Sequence, residues 1–185
     1  NRGTLAGNIC TASPAGDGMP NLLALDASIE LAGPLDRRTV PATAFIDGYR
    51  HTICRADEIV TAILVPKSRG VARSHFLKLG ARKYLVISIV MIAGVVETDA
   101  AGKISAARIA VGSCSAIPQR LPALEAALIG QPPAAAADIA AAEHLQALTP
   151  IDDIRGTAAY RRDAALALAR DLLCALAAAP ERRAA

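Results

Sequence analysis

Between residues 87 and 112 the chain carries two apolar stretches, 87–98 and 104–112, joined only by Asp99-Ala100-Ala101-Gly102-Lys103. Runs of this length, rich in Val and Ile, read as strands. So short a connection returns the chain alongside itself, which makes the pair antiparallel. Gly102 is free to take the positive φ of a tight hairpin. The apolar run 85–96 is too short for a membrane span and contains Ser88 and Gly94, so it is read as sheet. Residues 74–79 read as a third strand. Helical stretches follow over 121–128, 134–148 and 158–179, the last with Leu166, Leu168, Leu172, Leu173 and Leu176 on an apolar face. Strands followed by helices give an α+β arrangement with the helices segregated to one face.

Upstream, residues 19–24 read as a short helix and 28–31 as a strand with alternating polarity. Gly33-Pro34 is a turn, 39–40 a short strand, and 41–48 a helical passage ending at Gly48. A β-rich segment, 58–65, stops at Pro66. The stretch 66–71, with Lys67, Ser68 and Gly70, divides the chain into a first unit over 1–67 and a second over 68–185.

A hydrophobic content of 53% is ample for a core, but aromatics amount to 3% with no Trp, so Ala and Leu supply most of the packing. The net charge of +3 is spread over scattered pairs, Arg37-Arg38, Arg161-Arg162 and Arg182-Arg183. With so few rings for base stacking, this argues against nucleic-acid binding. Cys10, Cys54, Cys114 and Cys174 lie far apart, form no metal-ligand spacing, and fit reduced thiols in a cytoplasmic setting. His51, His75 and His144 show no paired spacing for zinc. No G-x-S-x-G elbow or Cys/His arrangement is present, so no catalytic residue is assigned.

The opening segment is of another kind. In Gly3-Thr4-Leu5-Ala6-Gly7-Asn8 and Ser13-Pro14-Ala15-Gly16-Asp17 small residues let a backbone come close to a ligand. Successive main-chain N–H groups can then cradle an anion such as a pyrophosphate, while Asp17 can accept from a sugar hydroxyl. Composition alone is better described by a loop leading into a first helix.

The order of residues goes further. Asn1 to Ile9, with Ala12-Ser13-Pro14 and Asp17, resembles the second flavin-binding motif of the molybdenum hydroxylase flavoproteins, the medium subunits of carbon monoxide and xanthine dehydrogenase-like enzymes. The resemblance continues in order through Arg37-Arg38-Thr39-Val40-Pro41, Phe45-Ile46-Asp47-Gly48-Tyr49-Arg50, Asp57-Glu58-Ile59-Val60, Phe76-Leu77-Lys78-Leu79-Gly80 and Ile87-Ser88-Ile89-Val90. It closes on Asp152-Asp153-Ile154-Arg155-Gly156-Thr157-Ala158-Ala159-Tyr160-Arg161-Arg162.

The resemblance implies the C-terminal part of a PCMH-type FAD-binding subdomain, followed by a three-stranded antiparallel sheet covered by helices. It also implies an N-terminal FAD subdomain preceding Asn1. Thr4, Leu5, Ala6, Gly7 and Asn8 would lie along the flavin nucleotide. Asp17 matches the family's acidic contact, Val60 an apolar position whose backbone touches the cofactor, and Lys78 a lysine near the flavin. FAD is the implied cofactor, with molybdopterin in a large partner subunit and [2Fe-2S] clusters in a small one. Electrons from those clusters would leave through FAD to NAD or another acceptor. The chain departs from the pattern at Ala6, where the family has Gly, and at Tyr84-Leu85-Val86, where many relatives are acidic. The competing reading is a folded fragment or assembly module that does not hold FAD by itself.

Overall fold

The computed structural model describes residues 3–68, 71–83 and 85–178, and the backbone of 182–183. Of the positions read above, Asn1, Arg2, Gly70, Tyr84 and Ala179 lie outside the described residues.

The opening segment is helical rather than a loop. Thr4, extended, places its hydroxyl to accept from the Gly7 N–H (3.0 Å) and so caps α1 (Leu5–Cys10). A turn leads to α2 (Gly18–Ala24), then to β1 (Ser28–Ala32) and β2 (Arg37–Pro41). The passage 41–48 is not helical to Gly48: a single turn, α3 (Ala42–Phe45), gives way to β3 (Ile46–Gly48), which pairs with β4 (His51–Thr52). Phe45 and Ile46 are both buried, and consecutive buried residues suit the change from helix to strand there. β5 (Ile59–Leu64) completes a three-stranded antiparallel sheet in the order β2-β1-β5. Its core joins Ile9, Leu22, Leu23, Ile29, Leu31 and Phe45.

The second sheet contains β6 (Val71–Leu79), β7 (Val90–Thr98) and β8 (Ile104–Gly112), the three strands read from the sequence, all antiparallel. Two-residue strands extend its edges, β9 (Gln119–Arg120) beside β8 and, at the end of the chain, β10 (Arg182–Arg183) beside β6. Gly102 turns the β7–β8 hairpin with φ +74°. β7 is buried along most of its length because both its faces are covered. Val90, Ile92 and Val96 join the core under the C-terminal helix, whereas Ala93 and Val95 pack with Ala24 of α2.

After β9 comes α4 (Pro122–Leu128). The stretch 134–148 is not one helix: a 3-10 turn, Pro133–Ala135, leads into α5 (Ala136–Ile139), and a second 3-10 turn spans Ala142–Leu145. Alanine's helical propensity loses here to side-chain capture of the backbone. The Arg170 guanidinium takes the Ala140 carbonyl with two hydrogen bonds (3.1 and 3.0 Å), and His144 Nδ1 accepts from the Ala141 N–H (3.1 Å). The final helix, α6 (Ala158–Ala178), buries Arg161, Ala165, Ala169, Leu172, Leu173 and Leu176, with Leu166 and Leu168 at the margin of the core. It settles into a notch at Gly94, where a Cβ would stand 2.7 Å from Leu172 Cδ2.

The two sheets are tied at their junction. Arg108 Nε donates to the Ala24 carbonyl (3.0 Å). Arg120 holds Glu125 with Nε and NH2 (2.5 and 2.8 Å) and Asp26 with NH1 (2.7 Å). Among the described residues no helix is long and apolar enough to cross a membrane.

Candidate functional site

The first turn of α1 lies against the start of α2. At a helix start the leading N–H groups have no intrahelical acceptor, which leaves those of Leu5 and Ala6 to an outside partner. Gly7 differs, since its N–H already goes to Thr4 Oγ1. The Asn8 N–H returns to the Thr4 carbonyl (3.0 Å), and Asn8 Oδ1 accepts from the Gly18 N–H (2.9 Å). Asn8 thereby fixes α1 against the start of α2, and a Cβ on Gly18 would meet Asn8 Oδ1 at 2.7 Å. Ala6 lies inside α1 and is not among the residues with positive φ, so its methyl group brings no backbone strain.

Ten residues on, counted from Gly7 to Asp17, the chain meets the second sheet. Lys78 Nζ on β6 bonds Asp17 Oδ2 (2.5 Å), and Ser88 Oγ donates to Asp17 Oδ1 (2.8 Å). Both partners lie at the feet of the β6–β7 loop, which is closed by the Ile89 N–H donating to the Leu79 carbonyl (2.8 Å). Two expected site residues 61 positions apart, Asp17 and Lys78, are therefore in direct contact. Val60 is not joined to them by any bond described. It sits half-buried on β5 opposite Leu31, packed against the first sheet's core.

Next to Asp17 opens a cleft of ≈ 580 Å³, with Ser13, Tyr49, Arg50, Ser88, Ser113 and Arg161 on its walls. Arg50 is held at φ +52° and its N–H reaches the Ala12 carbonyl (3.2 Å). Its exposed guanidinium and that of Arg155 make this wall cationic beside the single carboxylate of Asp153. Burial would raise that carboxyl, but the Arg155 N–H and the Arg161 guanidinium outweigh it and hold Asp153 below its ordinary range. Behind the cleft the Cys114 thiol is pushed up to about 11 by burial, the nearby Arg161 opposing.

Sequence reasoning does not single out Ser88 or Arg161 as site residues. Ser88 is visible there only as a polar residue in an apolar run. Arg161 is disguised as half of an Arg-Arg pair that looks solvated.

Residues 1–68 match the family model described as the FAD binding domain in molybdopterin dehydrogenase, and residues 75–176 match the CO dehydrogenase flavoprotein C-terminal domain. The chain belongs to the FAD-binding flavoprotein subunits of the molybdenum hydroxylase family. It is 34% identical over 135 residues to the nicotinate dehydrogenase FAD-subunit of Eubacterium barkeri, covering 71% of this chain and 46% of that one. It is 35% identical over 163 residues to the nicotine 6-hydroxylase medium subunit of Paenarthrobacter nicotinovorans, covering 87% and 56%. The chain thus spans about half the length of these two relatives. Its fold matches a chain of the carbon monoxide dehydrogenase of Hydrogenophaga pseudoflava with a TM-score of 0.83 and 31% identity, over 95% of this chain and 61% of that one. The α+β class expected from the sequence agrees with this match.

FAD is the cofactor of this family, and the residues present fit it. The surface over Gly7 is open except toward Thr4, since a Cβ there would meet only Thr4 Oγ1, at 3.1 Å. The neighbouring free N–H groups suit a phosphate, and Asp17 supplies an oriented carboxylate for a hydroxyl.

Proposed function

We propose that this chain forms part of the FAD site of a molybdenum hydroxylase medium subunit, with 1–67 and 68–185 as its two units. In this reading Thr4, Leu5, Ala6, Gly7 and Asn8 run along the flavin nucleotide, Asp17 and Lys78 contact it, and the Val60 backbone adds a contact from β5. Bound there, FAD would supply the redox chemistry of a xanthine dehydrogenase-like, cytoplasmic complex, between the [2Fe-2S] clusters of a small subunit with the molybdopterin centre of a large one and NAD or another acceptor. A large subunit would choose the hydroxylated substrate, and the nicotinate and nicotine relatives favour an N-heterocycle.

The observation that carries the proposal is the meeting of Asp17 with Lys78 and Ser88. The fold has spent long-range contacts on orienting a half-exposed carboxylate next to an anion-compatible helix turn. For this chain's residues the tasks are binding and orientation: the Leu5 and Ala6 N–H groups hold phosphate, Asp17 fixes a hydroxyl, and Lys78 balances the charge.

The test is FAD titration of the complete gene product. Wild-type protein should be yellow, and Gly7→Val, which pushes on the Thr4 cap and covers the open surface, should weaken FAD at least about tenfold. An unchanged affinity refutes this placement of the cradle. A colourless wild type that refuses added FAD returns the chain to an assembly module.

A further inference from the structure

Arg161 is the least expected charge in the protein. It lies on the buried face of α6, 3% exposed, where the sequence pattern calls for an apolar side chain. Its NH1 donates to the carbonyls of Ile89 (2.5 Å) and Ser113 (3.1 Å), and its NH2 donates to Asp153 Oδ1 (2.7 Å). Its Nε is buried with no partner. A charge buried for stability alone would be matched or exceeded by a well-packed apolar residue. An orphaned donor makes the stability argument weaker still. What the guanidinium secures is a geometry.

Both carbonyls it grips belong to residues that pass the restraint to the segment 14–17. Ile89 follows Ser88, whose hydroxyl donates to Asp17 Oδ1 (2.8 Å), and the Ile89 N–H closes the loop that carries Lys78 to Asp17 Oδ2. Ser113, held at φ +66°, donates its N–H to the Pro14 carbonyl (2.9 Å). Arg161 therefore stands behind two separate routes, one through Ser88 and one through Ser113, that converge within the same four residues. The closing motif serves this clamp. Asp153 bridges Gly156 and holds the guanidinium from outside, Thr157 Oγ1 accepts from the Tyr160 N–H at the start of α6, and Asp152 Oδ1 accepts from the Ala158 N–H.

We infer that Arg161 is a positioning residue for the flavin site: by clamping Ile89 and Ser113 it sets the orientation of the Asp17 carboxylate across the junction of the two sheets. This rests on the proposed role of Asp17 toward FAD. The last helix of the second unit thus governs cofactor affinity in the first.

The experiment is a double-mutant cycle in the complete subunit with FAD, using Ser88→Ala and Arg161→Gln, together with backbone hydrogen exchange of the apo protein. Ser88→Ala should weaken FAD about tenfold and Arg161→Gln at least as much. The double variant should be no more than about twofold weaker than Arg161→Gln, because both act on one linkage. Arg161→Lys should recover part of the loss, since an ammonium still reaches one carbonyl. Exchange at Ile89 and within 14–18 should accelerate in Arg161→Gln. Multiplying effects, or an Arg161→Gln protein that melts earlier yet holds FAD within about twofold of wild type, overturns the inference. If Arg161→Gln does not fold, Asp153→Asn takes its place in the cycle with the same expectations. A wild type that refuses FAD would sink the functional reading, whereas unchanged exchange at 14–18 would sink the clamp itself.

Discussion

Gly94 and Leu172 make one unit of the packing that seats α6, and with it Arg161. Leu172 is fully buried, and a Cβ on Gly94 would stand 2.7 Å from its Cδ2 and 3.2 Å from Leu176 Cδ1. Leu172→Ala removes buried methyl groups and leaves a cavity, a cost of about 2–5 kcal/mol. Gly94→Ala overpacks the same spot for about 1–3 kcal/mol, partly offset by the gain of about 0.5–1 kcal/mol for replacing glycine in a strand. In the double variant the new methyl enters the space that Leu172 vacates, so the clash with Leu172 disappears and part of the cavity is filled. The combined loss should fall short of the sum of the singles by about 1–2 kcal/mol. Urea unfolding of all four proteins measures this. Thermal melts give a parallel reading, at about 2–4 °C per kcal/mol for a chain of this size. Additivity within about 0.5 kcal/mol would mean that the helix does not rest on Gly94 through Leu172, and the seating of Arg161 would need another explanation.

Three further outcomes follow from local geometry. The Arg38 fork and the Arg55 N–H hold Glu58 down at about 2 against an ordinary 4.5. Its stabilisation is therefore complete above pH 4.5 and lost as the pH falls toward about 2. Wild type and Glu58→Gln should differ in urea midpoint at neutral pH and converge in acid, and a constant gap would refute the assignment. With its thiol raised to about 11 and buried, Cys114 should escape alkylation at mildly alkaline pH while exposed Cys174 is labelled; peptide mass spectrometry decides between them. Gly102 has φ +74°, and a Cβ there would meet nothing within 4 Å, so Gly102→Val should cost about 1–2 kcal/mol through backbone strain alone. Gly102→Asn should cost less, and equal losses would indicate a steric cause instead.

Much of the architecture was legible because it is local. The hairpin at Gly102, the strands read over 74–79 and 104–112, and α6 all follow from periodicity and turn chemistry within short windows, although the first of these strands begins earlier, at Val71. Where reading failed, a single side chain had overruled the preference of the segment's composition. Arg170 captures the Ala140 carbonyl and breaks the alanine-rich helix. The helicity of α1 hinges on one Thr4 hydroxyl capping a six-residue segment whose glycine and asparagine read as loop. Residue order along the chain points to Asp17 and Lys78 one at a time, but nothing in that order says that they touch.

By itself the sequence determined the family, the α+β class and the main strands, since these depend on residue order and short-range periodicity. Only the tertiary structure decided that Lys78 and Ser88 flank Asp17, and that an arginine in an apparently solvated pair is a buried clamp. Both depend on the angle at which α6 lies on the second sheet and the β6–β7 loop meets the segment before α2. That angle is set by side-chain volumes packed between segments far apart in the chain, such as Gly94 against Leu172, and such packing leaves no signature in any local stretch.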